Sequence, residues 1–196
     1  MNGRSSNRAV RLAVVALVSI SISLLAFGAF SSGCGSGSGE SSVEEYKKQW
    51  TEIMDSFQAR VLTDDKKANE LINKNDIAGV IKLVKQRISN VDEVTKKILV
   101  LRPPQDFWKV QAVTLYYLAS LKDQLKDQND LNDAVLTGKP TQDLKAIADQ
   151  AALKTRAIGA ELGVEIQKVD LKLKSTEEQP EPKQSATQSA TKSATQ

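Results

Sequence analysis

The sequence predicts an all-α protein, an antiparallel up-and-down four-helix bundle with an N-terminal signal peptide before it and a disordered C-terminal tail after it. Apolar residues recur at alternating three- and four-residue steps across 42–174, the period of one helix face. Core-forming residues there are mostly Leu, Ile, Val and Ala, with only two Trp, three Tyr and four Phe in the whole chain. Charged residues occupy the intervening positions, so each periodic segment has one apolar stripe and one solvated face.

Ser42 followed by Glu45 is a capping-box pattern, and Val43, Tyr46, Trp50, Ile53, Phe57 and Val61 then form the first stripe. Thr63-Asp64-Asp65 is expected to interrupt or recap this helix, with a short continuation through Ala68, Leu71 and Ile72 to the polar run Asn73-Lys74-Asn75-Asp76. Asp76 caps the second helix, whose stripe is Ile77, Val80, Ile81, Val84, Ile88, Val91, Val94, Ile98 and Leu101. Many of these residues are β-branched, yet the helical period persists for far longer than an ordinary strand. Pro103-Pro104 stops it, and Asp106 is expected to cap the third helix. That helix carries Phe107, Val110, Val113, Tyr117, Leu121 and Leu125, and after a polar turn Leu131 and Val135, until Gly138 and Pro140 end it. Thr141 opens the fourth, with Leu144, Ile147, Ala151, Ile158, Leu162, Ile166, Val169 and Leu173 on one side. Helices of this length joined by short links bury their stripes most economically as a bundle about 40 Å long, a three-helix or extended coiled arrangement being the main alternative.

The two ends read differently. Met1 to Arg11 are polar and basic, Leu12 to Phe30 contain no charge, and Ser31-Ser32-Gly33-Cys34 follows. This is the profile of an export signal, with Gly33 and Cys34 flanking the expected cleavage. Cys34 is the single cysteine, so no intramolecular disulfide is available and the domain must rest on apolar burial. Gly35 to Gly39 form a Gly/Ser tether, with on the order of 10 to 15 Å of slack. The tail from Ser175 repeats Ser-Ala-Thr with Gln or Lys and has nothing to build a core from. The expected organisation is a signal peptide at 1–33, a lipidated cysteine and tether at 34–41, a bundle at 42–174 and a disordered tail at 175–196. Three other readings of the N-terminus stay open: cleavage after Ser31, retention of the apolar run as an uncleaved anchor, or an idle cysteine.

Ser31 to Cys34 resembles the lipobox of bacterial lipoproteins, with Ser31 where Leu is usual. Together with the helical body and the Leu101-Arg102-Pro103-Pro104 break before an aromatic-led helix, the chain looks like the small helical lipoproteins of bacteria. The resemblance implies acylation of Cys34 and anchoring to a membrane at its extracytoplasmic face; an envelope protein is a separate expected partner. The resemblance implies no catalytic residue.

Composition narrows the function. The formal net charge of +3 comes from Arg4, Arg8 and Arg11, and without them 24 basic residues face 24 acidic ones. A nucleic-acid partner is therefore not expected. The chain has no histidine, which removes the commonest general base and zinc ligand. Neither a triad nor a glycine-rich phosphate loop is present, so no enzyme activity, cofactor or metal is expected. Asp123, Asp127, Asp130 and Asp133 with Asn129 and Asn132 are the best oxygen cluster, but Leu131 falls where a calcium ligand belongs, and Lys122 and Lys126 share the surface. A solvated helix face is the reading adopted. Tyr46, Trp50 and Tyr117 lie on core stripes, whereas Trp108 and Tyr116 sit beside them and are expected to be partly exposed. Lys82, Lys85, Arg87, Lys96 and Lys97 are read as a solubilising surface rather than a lipid- or polymer-binding one. The functional expectation is a non-enzymatic bundle presenting a binding or spacer surface, the alternative being a small-ligand-binding or sensory bundle with a cavity lined by Trp50 or Tyr117.

Overall fold

The computed structural model describes residues 42–177, with side chains through Asp170. The expected signal peptide, Gly33, Cys34, the tether and the tail beyond Glu177 lie outside the described residues. Four helices account for nearly all of what is described: α1 (Val43–Asn73), α2 (Ile77–Leu99), α3 (Trp108–Thr137) and α4 (Gln142–Glu177). A 3₁₀ turn at Gln105–Phe107 precedes α3, and no strand occurs among the described residues. The all-α expectation holds.

Each helix begins or ends for a local reason. Ser42 Oγ accepts from the Glu45 N–H at 3.1 Å, the first half of the capping box. The close of α1 is a Schellman turn in which Asn75, at φ 58°, takes the left-handed position and Asp76 N–H donates to Leu71 O at 2.9 Å. Asp76 then turns round to cap α2, its Oδ1 accepting from Gly79 N–H at 2.8 Å. Asp76→Ala should cost about 1 kcal/mol, since it strands a donor at the start of α2, and a urea midpoint compared with wild type measures it. At the other turn Gly138 adopts φ 69° and Lys139 N–H reaches Ala134 O at 2.9 Å, a second Schellman closure.

Successive helices run in opposite directions. Between α1 and α2, Arg60 meets Glu93 while Asp65 meets Arg87; between α3 and α4, Lys109 meets Glu165 while Ser120 meets Thr155. α3 packs against both α2 and α4, and α1 reaches it through its largest side chains. Trp50 Nε1 donates to Thr114 Oγ1 at 3.3 Å and Tyr46 Oη to Gln111 Oε1 at 3.1 Å. One continuous core holds Tyr46, Trp50, Met54 and Phe57 of α1 with Val80, Val91 and Ile98 of α2, Leu118 and Leu121 of α3, and Leu162 of α4. Gly159 lets α4 come close: a Cβ there would stand 3.3 Å from the Tyr117 ring.

Several expectations are corrected. Thr63-Asp64-Asp65 does not break α1, because Thr63 Oγ1 bonds back to Ala59 O at 2.9 Å and Asp64 turns inward and is buried. No polar turn divides α3 either; it is continuous from Trp108 to Thr137, with Gln124, Gln128 and Asn132 buried on its inner side. The cap position of α3 falls on Phe107, without a side-chain cap bond, and Asp106 sits within the 3₁₀ turn. On α4, Ile147 is exposed and Ala148 takes the buried place beside Leu131. The last helix also runs through Ser175 to Glu177, past the expected boundary at Lys174, while Leu173 lies beyond the described side chains.

Candidate functional site

Gly33 and Cys34, the two sequence-assigned site residues, lie outside the described residues, so the geometry bears on the domain they precede. Of the aromatics, Tyr46, Trp50 and Tyr117 are core, while Trp108 and Tyr116 are exposed at 61% and 51%. Burial raises the phenol of Tyr46 well above its ordinary value and pushes that of Tyr117 up to about 12. Both rings act in packing, and the Tyr46 hydroxyl donates to Gln111 Oε1.

The strongest internal electrostatic feature is one the spacing did not reveal. Arg87, read from sequence as part of a basic surface, is buried on α2 between two consecutive carboxylates of α1. Its Nη2 donates to Asp65 Oδ1 at 2.7 Å, and its Nε stands 3.7 Å from Asp64 Oδ2. Neither of those last two atoms has a hydrogen-bond partner, so the second contact is Coulombic only. Burial raises the Asp64 carboxyl above its usual range, and the charges of Arg87 and Lys67 oppose that rise. Towards solvent, Arg60 at 2.9 Å and Lys97 at 2.7 Å both bind Glu93, which their hydrogen bonds hold down at about 2.

Beside Arg87 lies a hollow lined by Phe57, Arg60, Asp64, Arg87, Asn90 and Leu121, among others. By the measure on which one water needs roughly 10 to 15 Å³, it offers about 10 Å³. That is room for one water at most and is far below a small-molecule site. Neither Trp50 nor Tyr117 lines it.

The Asp123–Asp133 cluster does not converge. Among the described residues no group of three acidic, histidine or cysteine side chains is placed to hold a metal ion. Asp123 binds Lys126 at 3.3 Å, and Asp127 is raised by desolvation first and then by repulsion from Asp130 and Asp123. Asn132, assigned to this surface by sequence, is buried instead. It continues an internal polar line along α3 through Thr114, Ser120, Gln124 and Gln128. One member of that line, Ser120, meets the hydroxyl of Thr155 on α4 at 3.0 Å.

Exposed apolar residues lie at the basal end of the bundle, where α1 begins, α2 finishes and α3 begins. Leu99, Val100 and Trp108 are exposed there at 58%, 77% and 61%. The segment that carries them is firmly tied: Leu101 N–H donates to Ile98 O, Phe107 N–H to Pro104 O, and Gln111 Nε2 to Leu101 O at 3.4 Å. The Phe107 ring packs on Tyr46 with centroids 5.2 Å apart. Trp108 Nε1 donates to Pro103 O at 3.1 Å, so the indole's polar atom is satisfied by the chain and its ring is left to the surroundings. Sequence reasoning could have found this patch, since Leu99, Val100 and Trp108 are apolar residues that fall off the core stripes.

No family model, curated protein or solved structure matches the chain. No described helix is long and apolar enough to cross a membrane.

Proposed function

We propose that the chain is a membrane-anchored extracytoplasmic lipoprotein, a non-enzymatic antiparallel up-and-down four-helix bundle that presents a binding surface in the cell envelope. The observation that carries this reading is the position of Cys34, the sole cysteine. It directly follows an uncharged export-type run and precedes the Ser42 cap of the first helix by a short Gly/Ser tether. The tied apolar patch at the end of the bundle from which that tether leads supports a surface role. The lack of histidine supports the non-enzymatic part.

Acylation would add about 0.8 kcal/mol per buried methylene, so two or three chains would hold the domain at the membrane almost irreversibly. The test is intact mass and membrane partitioning of wild type and Cys34→Ala, produced in a bacterium with lipoprotein processing. Wild type should begin at Cys34 with acyl mass and sediment with membranes, whereas Cys34→Ala should fail to mature. Cleavage of both near Ser31 with release, or two uncut membrane-held forms, would overturn the proposal.

A further inference from the structure

We infer that the basal end of the bundle rests on the bilayer surface, with Leu99, Val100 and Trp108 at headgroup level and Lys96 and Arg102 over anionic lipid. The inference rests on the lipoprotein reading and goes beyond it, because a tether alone would leave the domain free to tumble.

Chain length and direction supply the first ground. From Cys34 the chain reaches the start of α1 in eight residues, and eight residues cannot span more than roughly 30 Å. The end it reaches is the one that carries the apolar patch, so a Cys34-linked lipid would hold that end, rather than the Asn73–Ile77 end, close to the membrane.

The patch chemistry is the second ground. Leu99, Val100 and Trp108 are each exposed, and they flank or belong to a connection fixed by backbone and side-chain bonds at one end of the bundle. Tryptophan with small aliphatic neighbours is the composition favoured at a lipid–water interface. The indole N–H is already bonded within the chain, so the ring can enter the headgroup region without stranding a donor.

Charge is the third. Between Lys96 and Lys109 there are four basic residues, Lys96, Lys97, Arg102 and Lys109, against one acid, Asp106. Lys97 and Lys109 bind Glu93 and Glu165, but among the described residues no ion pair engages Lys96 or Arg102. Basic side chains flanking an apolar patch suit a surface bearing anionic headgroups. The basic surface expected from sequence is thereby narrowed: Lys82 and Lys85 belong to the opposite end of α2 and Arg87 is internal.

The full chain is processed in bacteria, purified and placed in phosphatidylcholine vesicles with and without phosphatidylglycerol, prepared with ordinary or brominated acyl chains. Trp108→Phe gives the background of buried Trp50, and the difference from wild type is the Trp108 signal. The expected result is a blue-shifted Trp108 emission that bromination extinguishes. In Leu99→Glu/Val100→Glu it should lose most of that sensitivity while circular dichroism stays helical. Acylated, vesicle-bound protein whose Trp108 emission is the same in both lipids would overturn the docking and leave the anchor standing. A lipid-independent, concentration-dependent shift of Trp108 would assign the patch to a second copy and likewise overturn it. If mass shows no acylation, the anchor reading falls, and the unlipidated full chain on phosphatidylglycerol vesicles decides the docking: quenching retains it and its absence refutes it.

Discussion

Arg87→Met should lower the unfolding free energy by about 3 to 5 kcal/mol, the cost of leaving a buried carboxylate without its counter-ion. The guanidinium is 5% exposed, and on removal the Asp64 side chain, 10% exposed, would keep only more distant positive charge. Asp65 is more open to solvent, at 24%, and should rehydrate at little cost. Most of the loss should therefore be assigned to Asp64. Urea unfolding of Arg87→Met, Asp64→Leu and the double variant tests that assignment. The double variant should recover most of the stability lost in Arg87→Met, because an apolar pair of similar volume avoids the desolvation cost. A loss below about 1 kcal/mol for Arg87→Met would mean that water already screens the cluster through the adjoining hollow.

The second large effect is expected at Trp50→Ala, also about 3 to 5 kcal/mol. Trp50 is among the largest fully buried side chains and sits where α1 crosses to α3. Its truncation leaves a void in the continuous core between α1 and α3. Thr114 would lose a donor but keep its own bond to Val110 O at 2.7 Å, so the hydroxyl is not orphaned and the loss is chiefly one of packing. Trp50→Phe should accordingly cost less than half as much. Equal losses in the two variants would instead place the energy in the indole hydrogen bond. Thermal or urea unfolding separates these outcomes.

Much of the fold is legible because the period of apolar residues is a direct record of which side faces inward. The stripes of α1 and α2 and the stops at Pro103-Pro104 and Gly138 follow from it. The expected break at Thr63-Asp64-Asp65 shows where the record fails. A run of three cap-forming residues ordinarily competes with helical backbone, but Asp64 is retained inside by a cation more than a helical turn of sequence away on α2. No local rule carries that partner. The same limit hid the internal line of Thr114, Ser120, Gln124, Gln128 and Asn132 on α3, since a search for apolar periodicity passes over buried polar residues. Ile147 and Ala148 exchanged places for a simpler reason: adjacent apolar residues point about 100° apart, and the small one fits where α3 and α4 approach closely. At the surface, Trp108 is legible as off-stripe, but its place at the same end as Leu99 and Val100 follows from α2 and α3 being antiparallel neighbours.

The tight turns at Lys74–Asp76 and Gly138–Thr141 bear on how the chain reaches this structure. Each helix packs against the one that follows it, so the loops to be closed during folding are small and the entropy of closing them is modest. The search is dominated by contacts near in sequence, as in helical topologies that fold in microseconds to milliseconds. The helical hairpins would thus assemble early, leaving little time for exposed stripes to meet those of another molecule.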